Sequence, residues 1–191
     1  GAVCGPSEEC TIGKITPEGL VTQSFAIESF DKRFRLTLDE GTVALSRDGA
    51  FFKCIGILKL TGSPSPPQGA HVIGVMYDVV PDGATFTPAA TLEYSYDQDD
   101  IPQGVAEGSL VIAYNDGATD EWTALDSVVD TEANTIRAKV SRFNDLAVLG
   151  YEAGVPSPPA VPPPAKPINW WLMGGIIAGV GVTAFVIFLF R

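Results

Sequence analysis

The chain is poor in the residue types that most often carry catalysis and metal binding. It has one histidine, three cysteines and two methionines, and 12 lysines and arginines against 23 aspartates and glutamates. Because His71 is the only histidine, a multi-histidine metal site is excluded. A Ser-His-Asp triad would have to use His71, and no Gly-x-Ser-x-Gly elbow stands ready to support it. Within Gly69-Ala-His-Val-Ile-Gly-Val-Met-Tyr, His71 alternates with apolar neighbours and reads as a surface or half-buried strand residue rather than a catalytic base. There is no Cys-x-x-Cys pair, which excludes a zinc ribbon. The shortage of basic residues argues against nucleic acid. Before Asn169, 11 basic residues face 23 acidic ones, a net charge of −12 that repels phosphate backbones and anionic headgroups. Long amphipathic helices are missing from the first 150 residues.

What replaces helical periodicity is a series of short runs rich in Val, Ile, Thr, Phe and Tyr, separated by Gly, Pro, Asp and Asn. That is the signature of strands and turns. Strands are predicted at 20–27, 34–38, 52–60, 71–80, 90–96, 110–114, 122–125, 135–140 and 146–149. In one run Leu92, Tyr94 and Tyr96 share a face. In another, Ile136, Ala138 and Val140 point to the core while Arg137 and Lys139 point to water. Turns are expected at Pro81-Asp-Gly, at Asn115-Asp-Gly, which readily supplies positive φ, and at Glu132-Ala-Asn. This spacing predicts an all-β fold, an antiparallel β-sandwich.

Two proline-rich stretches punctuate the chain. The first, 62–69, reads as an internal loop that splits the sandwich into two halves. The second, 155–167, has seven prolines in thirteen residues. As polyproline II, at about 3.1 Å per residue, it would make a stalk roughly 40 Å long, and as a disordered tether a shorter one. Beyond it, residues 170–190 are uncharged and free of proline, and Arg191 closes the run. At about 1.5 Å per residue a helix of this length spans roughly 31 Å, which matches the hydrocarbon core of a bilayer. Trp170 and Trp171 stand at one end, where indole rings favour the headgroup region. A single transmembrane helix is therefore expected, with a buried core helix as the alternative. The domain plan is 1–152 sandwich, with a division near 62–69; 153–168 stalk; 169–191 membrane helix. Lys166 and Arg191 flank the span and fix orientation weakly. Acidity, the stalk and the early cysteines place the large domain on the extracytoplasmic side. The chain opens on Gly1 with no secretory signal, so either a leader has been removed or the chain is a cut piece.

Candidate sites are few. Cys4 and Cys10, with Gly5 and Pro6 able to turn the chain between them, suggest a local disulfide in an oxidising compartment. Cys54 reads as a small apolar core residue, although pairing with Cys4 or Cys10 is open. Asp97, Asp99 and Asp100 put three carboxylates in one tight loop, a hard-oxygen set suited to Ca²⁺. The spacing lacks the Gly and closing Glu of an EF-hand loop, and an ordinary solvated turn is the competing reading. Asp116, Asp120 and Glu121 form a second acidic turn. In the apolar run Gly175, Gly179 and Thr183 recur every four residues, with Gly174 and Gly181 nearby. Such a stripe lets a second helix approach closely, although glycine is also simply common in membrane helices.

From about Arg33 to Gly150 the chain resembles a known sandwich pattern. Phe34-Arg-Leu-Thr-Leu-Asp-Glu-Gly-Thr and Pro81-Asp-Gly-Ala-Thr-Phe86 are similar to the domain named for zonula occludens proteins and netrin receptors. Ala90-Thr-Leu-Glu-Tyr-Ser-Tyr-Asp, Ile101-Pro-Gln-Gly-Val, Leu110-Val-Ile-Ala-Tyr-Asn-Asp, Glu121-Trp-Thr-Ala-Leu and Phe143-Asn-Asp-Leu-Ala-Val-Leu-Gly resemble its form in bacterial and archaeal surface proteins. The resemblance implies architecture rather than activity. Some relatives cleave themselves at His-Phe-Ser. The matching positions here read Arg142-Phe143-Asn144, without the serine or its histidine, so cleavage should be lost and these positions should be structural, Phe143 anchoring the core.

The sequence thus points to a structural or interaction module rather than an enzyme. It would be a cell-surface sandwich held by one helix in a bacterial or archaeal membrane, free or as a subunit of an envelope complex. Its partners would be the bilayer and proteins meeting the sandwich or the helix, and it would need no cofactor beyond the Ca²⁺ considered above. A surface hydrolase or self-processing protein is the rival, and activity dependent on His71 would favour it. A cation- or glycan-binding receptor is the third reading.

Overall fold

A computed structural model of the chain describes residues 8–62, 64–117, 119–142 and 144–154. The stalk, the expected membrane helix with Gly175, Gly179 and Thr183, and also Cys4 and Phe143 lie outside these residues. No helix among the described residues is long and apolar enough to cross a membrane.

The described chain is all-β: thirteen strands in two antiparallel sheets, with single 3₁₀ turns at Gln98–Asp100 and Glu107–Ser109. The strands are β1 (Glu8–Cys10), β2 (Phe25–Glu28), β3 (Phe34–Leu38), β4 (Val43–Leu45), β5 (Cys54–Lys59), β6 (Ala70–Val72) and β7 (Tyr77–Val80). They continue with β8 (Thr85–Ser95), β9 (Val111–Asp116), β10 (Glu121–Ala124), β11 (Ser127–Asp130), β12 (Thr135–Arg142) and β13 (Asp145–Tyr151). The first sheet runs β1-β5-β7-β13-β9-β10, with β6 also on β13. The second runs β11-β12-β8-β3-β2, with β4 also on β8.

Alternation decides which side chains meet between the sheets. On β3, Phe34, Leu36 and Leu38 are buried while Arg35 is exposed. On β12, Ile136, Ala138 and Val140 are buried, and Arg137 and Lys139 are exposed, as the period-two pattern requires. Leu92, Tyr94 and Tyr96 are buried as one row. Phe34, Tyr77 and Tyr94 stack at the centre, with Phe34 edge-on to Tyr77 at 4.9 Å between centroids and 4.7 Å from Tyr94. Two hydroxyls then tie sheet to sheet. Tyr77 donates to Asp31 Oδ2 at 2.7 Å, and Tyr94 donates to the Ile73 carbonyl at 3.2 Å.

Three expectations are corrected in detail. The run predicted at 71–80 is two strands, β6 and β7, which share one edge of β13. The break falls at Gly74, where φ is +76° and a Cβ would lie 2.3 Å from Tyr94 Oη, so backbone and space both demand glycine. The strand predicted from residue 90 starts at Thr85 and passes through Pro88, which donates no hydrogen bond. The ladder to β12 shifts register in this stretch, between Val140 and Arg142. In the β9–β10 turn the positive φ falls on Asp120 rather than on Asn115-Asp-Gly.

The proline-rich loop 62–69 does not separate two cores. β5 before it pairs with β7 after it, and β3 pairs with β8. One cluster of buried residues runs from Ile15 to Val148 across both halves. The loop covers part of the outer face of the first sheet instead. Pro64 is buried, and Trp122 Nε1 donates to the Ser65 carbonyl at 2.8 Å. Ala70, Ala113, Ala147, Leu149 and Tyr151 form a second small cluster on that face, with Trp122 packed against it. As a result β13 is buried at six of its seven positions.

Candidate functional site

A cluster of carboxylates lies on that same outer face, at one end of the sheet. Along β7, Tyr77 and Val79 enter the core, so Asp78 must point outward. Along β13, Leu146 and Val148 enter the core, so Asp145 points outward too. Asp78 and Asp145 are direct partners in the ladder, and Asn115 flanks Asp145 on its other side. Trp122 continues the row opposite Asn115. Asp82, in the turn after β7, adds a third carboxylate. With Arg47, Gly117 and Asn144 these aspartates line an open cleft of about 310 Å³.

The electrostatics follow from this crowding. Burial pushes the Asp145 carboxyl above the usual carboxylate range, and Asp78 and Asp82 push it further. Burial and Asp82 do the same to Asp78. Like charges placed opposite one another in a ladder repel, and partial burial strengthens the effect. Arg47 reaches over Gly83 and donates to Asn144 Oδ1 at 3.5 Å, closing one rim of the cleft. The cleft therefore suits a positively charged group, whose arrival would relieve the repulsion. It does not have the form of a metal cage. Among the described residues no group of three or more His, Cys, Asp or Glu side chains is placed to hold a metal ion.

The sequence-predicted sites fall elsewhere. Asp97, Asp99 and Asp100 do sit in one tight turn, but Asp97 and Asp100 both grip the guanidinium of Arg33. The hydrogen bond to Asp100 raises the Arg33 pKa above its already high ordinary value, and Tyr94 adds to it. Asp99 is exposed. A calcium ion in this loop would have to displace Arg33, whose contacts join the turn after β8 to the one before β3. His71 lies on β6, half exposed, with its Nε2 3.0 Å from Glu152 Oε1. In the second acidic turn, Asp116 accepts from Arg142 Nη2 at 3.1 Å and Asp120 accepts from Asn115 at 3.3 Å. Arg142 ends β12 and Asn144 lies in the bend before β13, so both stand at a strand edge and turn as expected.

The cysteines require a correction. Cys10 is a free, exposed thiol, and Cys54 is disulfide-bonded rather than a simple apolar filler. The expected Cys4–Cys10 bridge is therefore not the one formed. The sequence reads Cys54 correctly as lying on a strand, yet sequence spacing favours the near pair, whereas the fold brings β5 to the N-terminal strand.

The acidic cleft was missed because its aspartates are scattered. Asp78 was visible only as a carboxylate alternating with Tyr77 and Val79, Asp82 only as a turn residue, and Asp145 only as the neighbour of a strand. Their meeting depends on the β7–β13 pairing, which no local pattern announces. No protein-family model matches the chain, and no curated protein matches it.

Proposed function

We propose that the chain is a membrane-anchored β-sandwich that works by contact rather than catalysis, with its large domain on the extracytoplasmic side of a bacterial or archaeal membrane. One observation carries the reading. The run at 170–190 is uncharged, free of proline and long enough to span a bilayer, and it follows a sandwich whose two sheets already enclose a core of their own. The proline-rich stretch at 155–167 would hold the sandwich away from the lipid. Kinship with the zonula occludens and netrin-receptor type of domain is proposed on the sequence signatures alone. In this reading His71 has no catalytic duty, and the Gly175, Gly179 and Thr183 stripe serves helix contacts.

The test is flotation of native membranes followed by protease shaving of intact cells. The protein should float with lipid, resist carbonate extraction and lose its large domain to external protease. Recovery in the soluble fraction would defeat the proposal.

A second reading, a receptor for a positively charged group, is favoured by the acidic cleft. Calorimetric titration with Ca²⁺ and with an arginine-rich peptide would separate the two kinds of ligand. Asp145→Asn should abolish whatever binding is seen, and unchanged binding would remove the cleft from consideration.

A further inference from the structure

One tetrapeptide occurs twice in the chain. Pro64-Ser65-Pro66-Pro67 stands in the loop on the outer face of the first sheet, and Pro156-Ser157-Pro158-Pro159 comes soon after β13. The sandwich holds the first copy through few, definite contacts. Pro64 is buried, and the Ser65 carbonyl accepts the hydrogen bond from Trp122 Nε1 at 2.8 Å. Proline has no N–H, so three of these four residues offer a carbonyl and an apolar ring and nothing else. Indole is the complement, a flat apolar surface with one N–H that only donates. The residue before a proline is confined to extended backbone, so Ser65 presents its carbonyl from a segment that is already straightened. Extended proline-rich peptides dock on aromatic-lined surfaces for these reasons. Trp122 stands on β10, an edge strand, and packs against the cluster that holds Leu149 and Tyr151. Tyr151 brings a second donor to this face. Its side chain is buried, it pairs with Ala70 just beyond the loop, and its hydroxyl has no hydrogen-bond partner among the described residues. The loop therefore leaves part of the donor capacity of the face unused. Gly62 and Gly69, both at positive φ, bracket the loop and can let it turn away.

We propose that the Trp122 face is a binding site for extended proline-rich peptides, filled at rest by the chain's own 64–67 segment, and that the peptide it takes is the Pro-Ser-Pro-Pro sequence of a second copy. The two tetrapeptides are identical, and Ser157 precedes Pro158 as Ser65 precedes Pro66. The Trp122 bond to the Ser65 carbonyl gives way to one from Trp122 to the same serine carbonyl of the incoming peptide, and the Tyr151 hydroxyl gains an acceptor. Charge does not oppose the approach, because residues 155–165 carry none while the chain as a whole is strongly acidic. The 64–67 segment competes from within the same molecule, so a free peptide binds weakly, and copies held side by side bind one another more tightly.

Indole NMR of the full chain in detergent, with nitrogen-labelled tryptophan, tests this. The probe is a synthetic peptide with the sequence of residues 153–161, and the control peptide has alanine in place of its prolines. The Trp122 signal, identified by its loss in the Trp122→Phe chain, should move saturably with the probe and stay still with the control. A chain carrying Pro64→Ala and Pro66→Ala should bind the probe about fivefold tighter or more, because apparent affinity scales with the fraction of open sites. Trp122→Phe should weaken binding of a fluorescent form of the probe about tenfold, the worth of one hydrogen bond. A Trp122 signal that ignores the probe in both the unsubstituted and the Pro64→Ala, Pro66→Ala chains, or that answers probe and control alike, would overturn the site; the peptide comparison on the unsubstituted chain needs no variant to fold. Sedimentation tests the source. Adding Pro156→Ala, Pro158→Ala and Pro159→Ala to the Pro64→Ala, Pro66→Ala chain should lower its self-association, and equal sedimentation would overturn the second copy as the occupant.

Discussion

Replacing Asp145 by asparagine should make the sandwich more stable at neutral pH, although it removes a charge and adds nothing. Asp145 faces Asp78 directly across the β7–β13 ladder, and Asp82 is close enough to add to the repulsion. Asparagine keeps the shape and discards the charge. Cross-strand pairs are worth about 0.2–1 kcal/mol, with like charges on the unfavourable side. Partial burial argues for the upper part of that range, so the gain should be about 0.5–1 kcal/mol at pH 7. For a domain of this size that is roughly 1–4 °C in Tm.

The pH dependence is the sharper signature. Asp78 and Asp145 hold their protons to higher pH in the folded chain than an ordinary aspartate does, whose pKa is about 3.9. The folded state therefore binds more protons than the unfolded one between the ordinary and the raised values. Their contribution is fully present below the ordinary pKa and is lost as pH climbs through the raised one. Urea unfolding at a series of pH values from acidic to neutral is the assay, using a chain that ends before residue 168. The unsubstituted chain should carry a downward step in stability with rising pH that Asp145→Asn flattens. Asp99→Asn, at an exposed position, should leave stability at pH 7 unchanged. A loss of stability in Asp145→Asn at pH 7 would show that its charge is satisfied by a neighbour and that the cleft is not frustrated.

Other substitutions probe the core and its ties. Tyr77→Phe removes the hydroxyl bonded to Asp31 and should cost about 1–2 kcal/mol in chemical denaturation. Tyr151→Phe should cost nothing or stabilise slightly, because the buried Tyr151 hydroxyl has no hydrogen-bond partner among the described residues. Phe34→Ala empties the centre of the aromatic trio and should cost about 3–5 kcal/mol, enough to leave the domain marginal in a thermal melt. Gly74→Ala meets both a positive φ and the Tyr94 hydroxyl, so it should lower Tm more than alanine at Gly108, which has open space and no left-handed backbone.

How far the sequence could be read depends on which interactions define each feature. β3 and the inward face of β12 were legible residue by residue, because their alternation is strict and Arg35, Arg137 and Lys139 mark the wet side. β1, β4 and β11 were not, since three or four residues give too little period to detect, and β11 leaves Val128 exposed at a sheet edge. The Pro88 stretch hid the first half of β8 because proline argues against a paired strand. The loop at 62–69 looked like a boundary from its composition, yet Trp122 and Pro64 show it lying against the sheet. Sites fared worse than strands for a physical reason. The 97–100 carboxylates are adjacent in sequence, but Arg33, more than sixty residues earlier, takes two of them. The Asp78, Asp82 and Asp145 cleft exists only because distant strands share a register.

The most direct test of the account is to remove residues 168–191 and follow the rest of the chain. Full-length protein should sediment with membranes, whereas the shortened chain should stay in the supernatant as a monomer with β-type circular dichroism and one cooperative unfolding transition. If the shortened chain is recovered only as an aggregate, or melts without cooperativity, then the apolar run belongs to the core of the domain and the membrane-anchored sandwich is the wrong description.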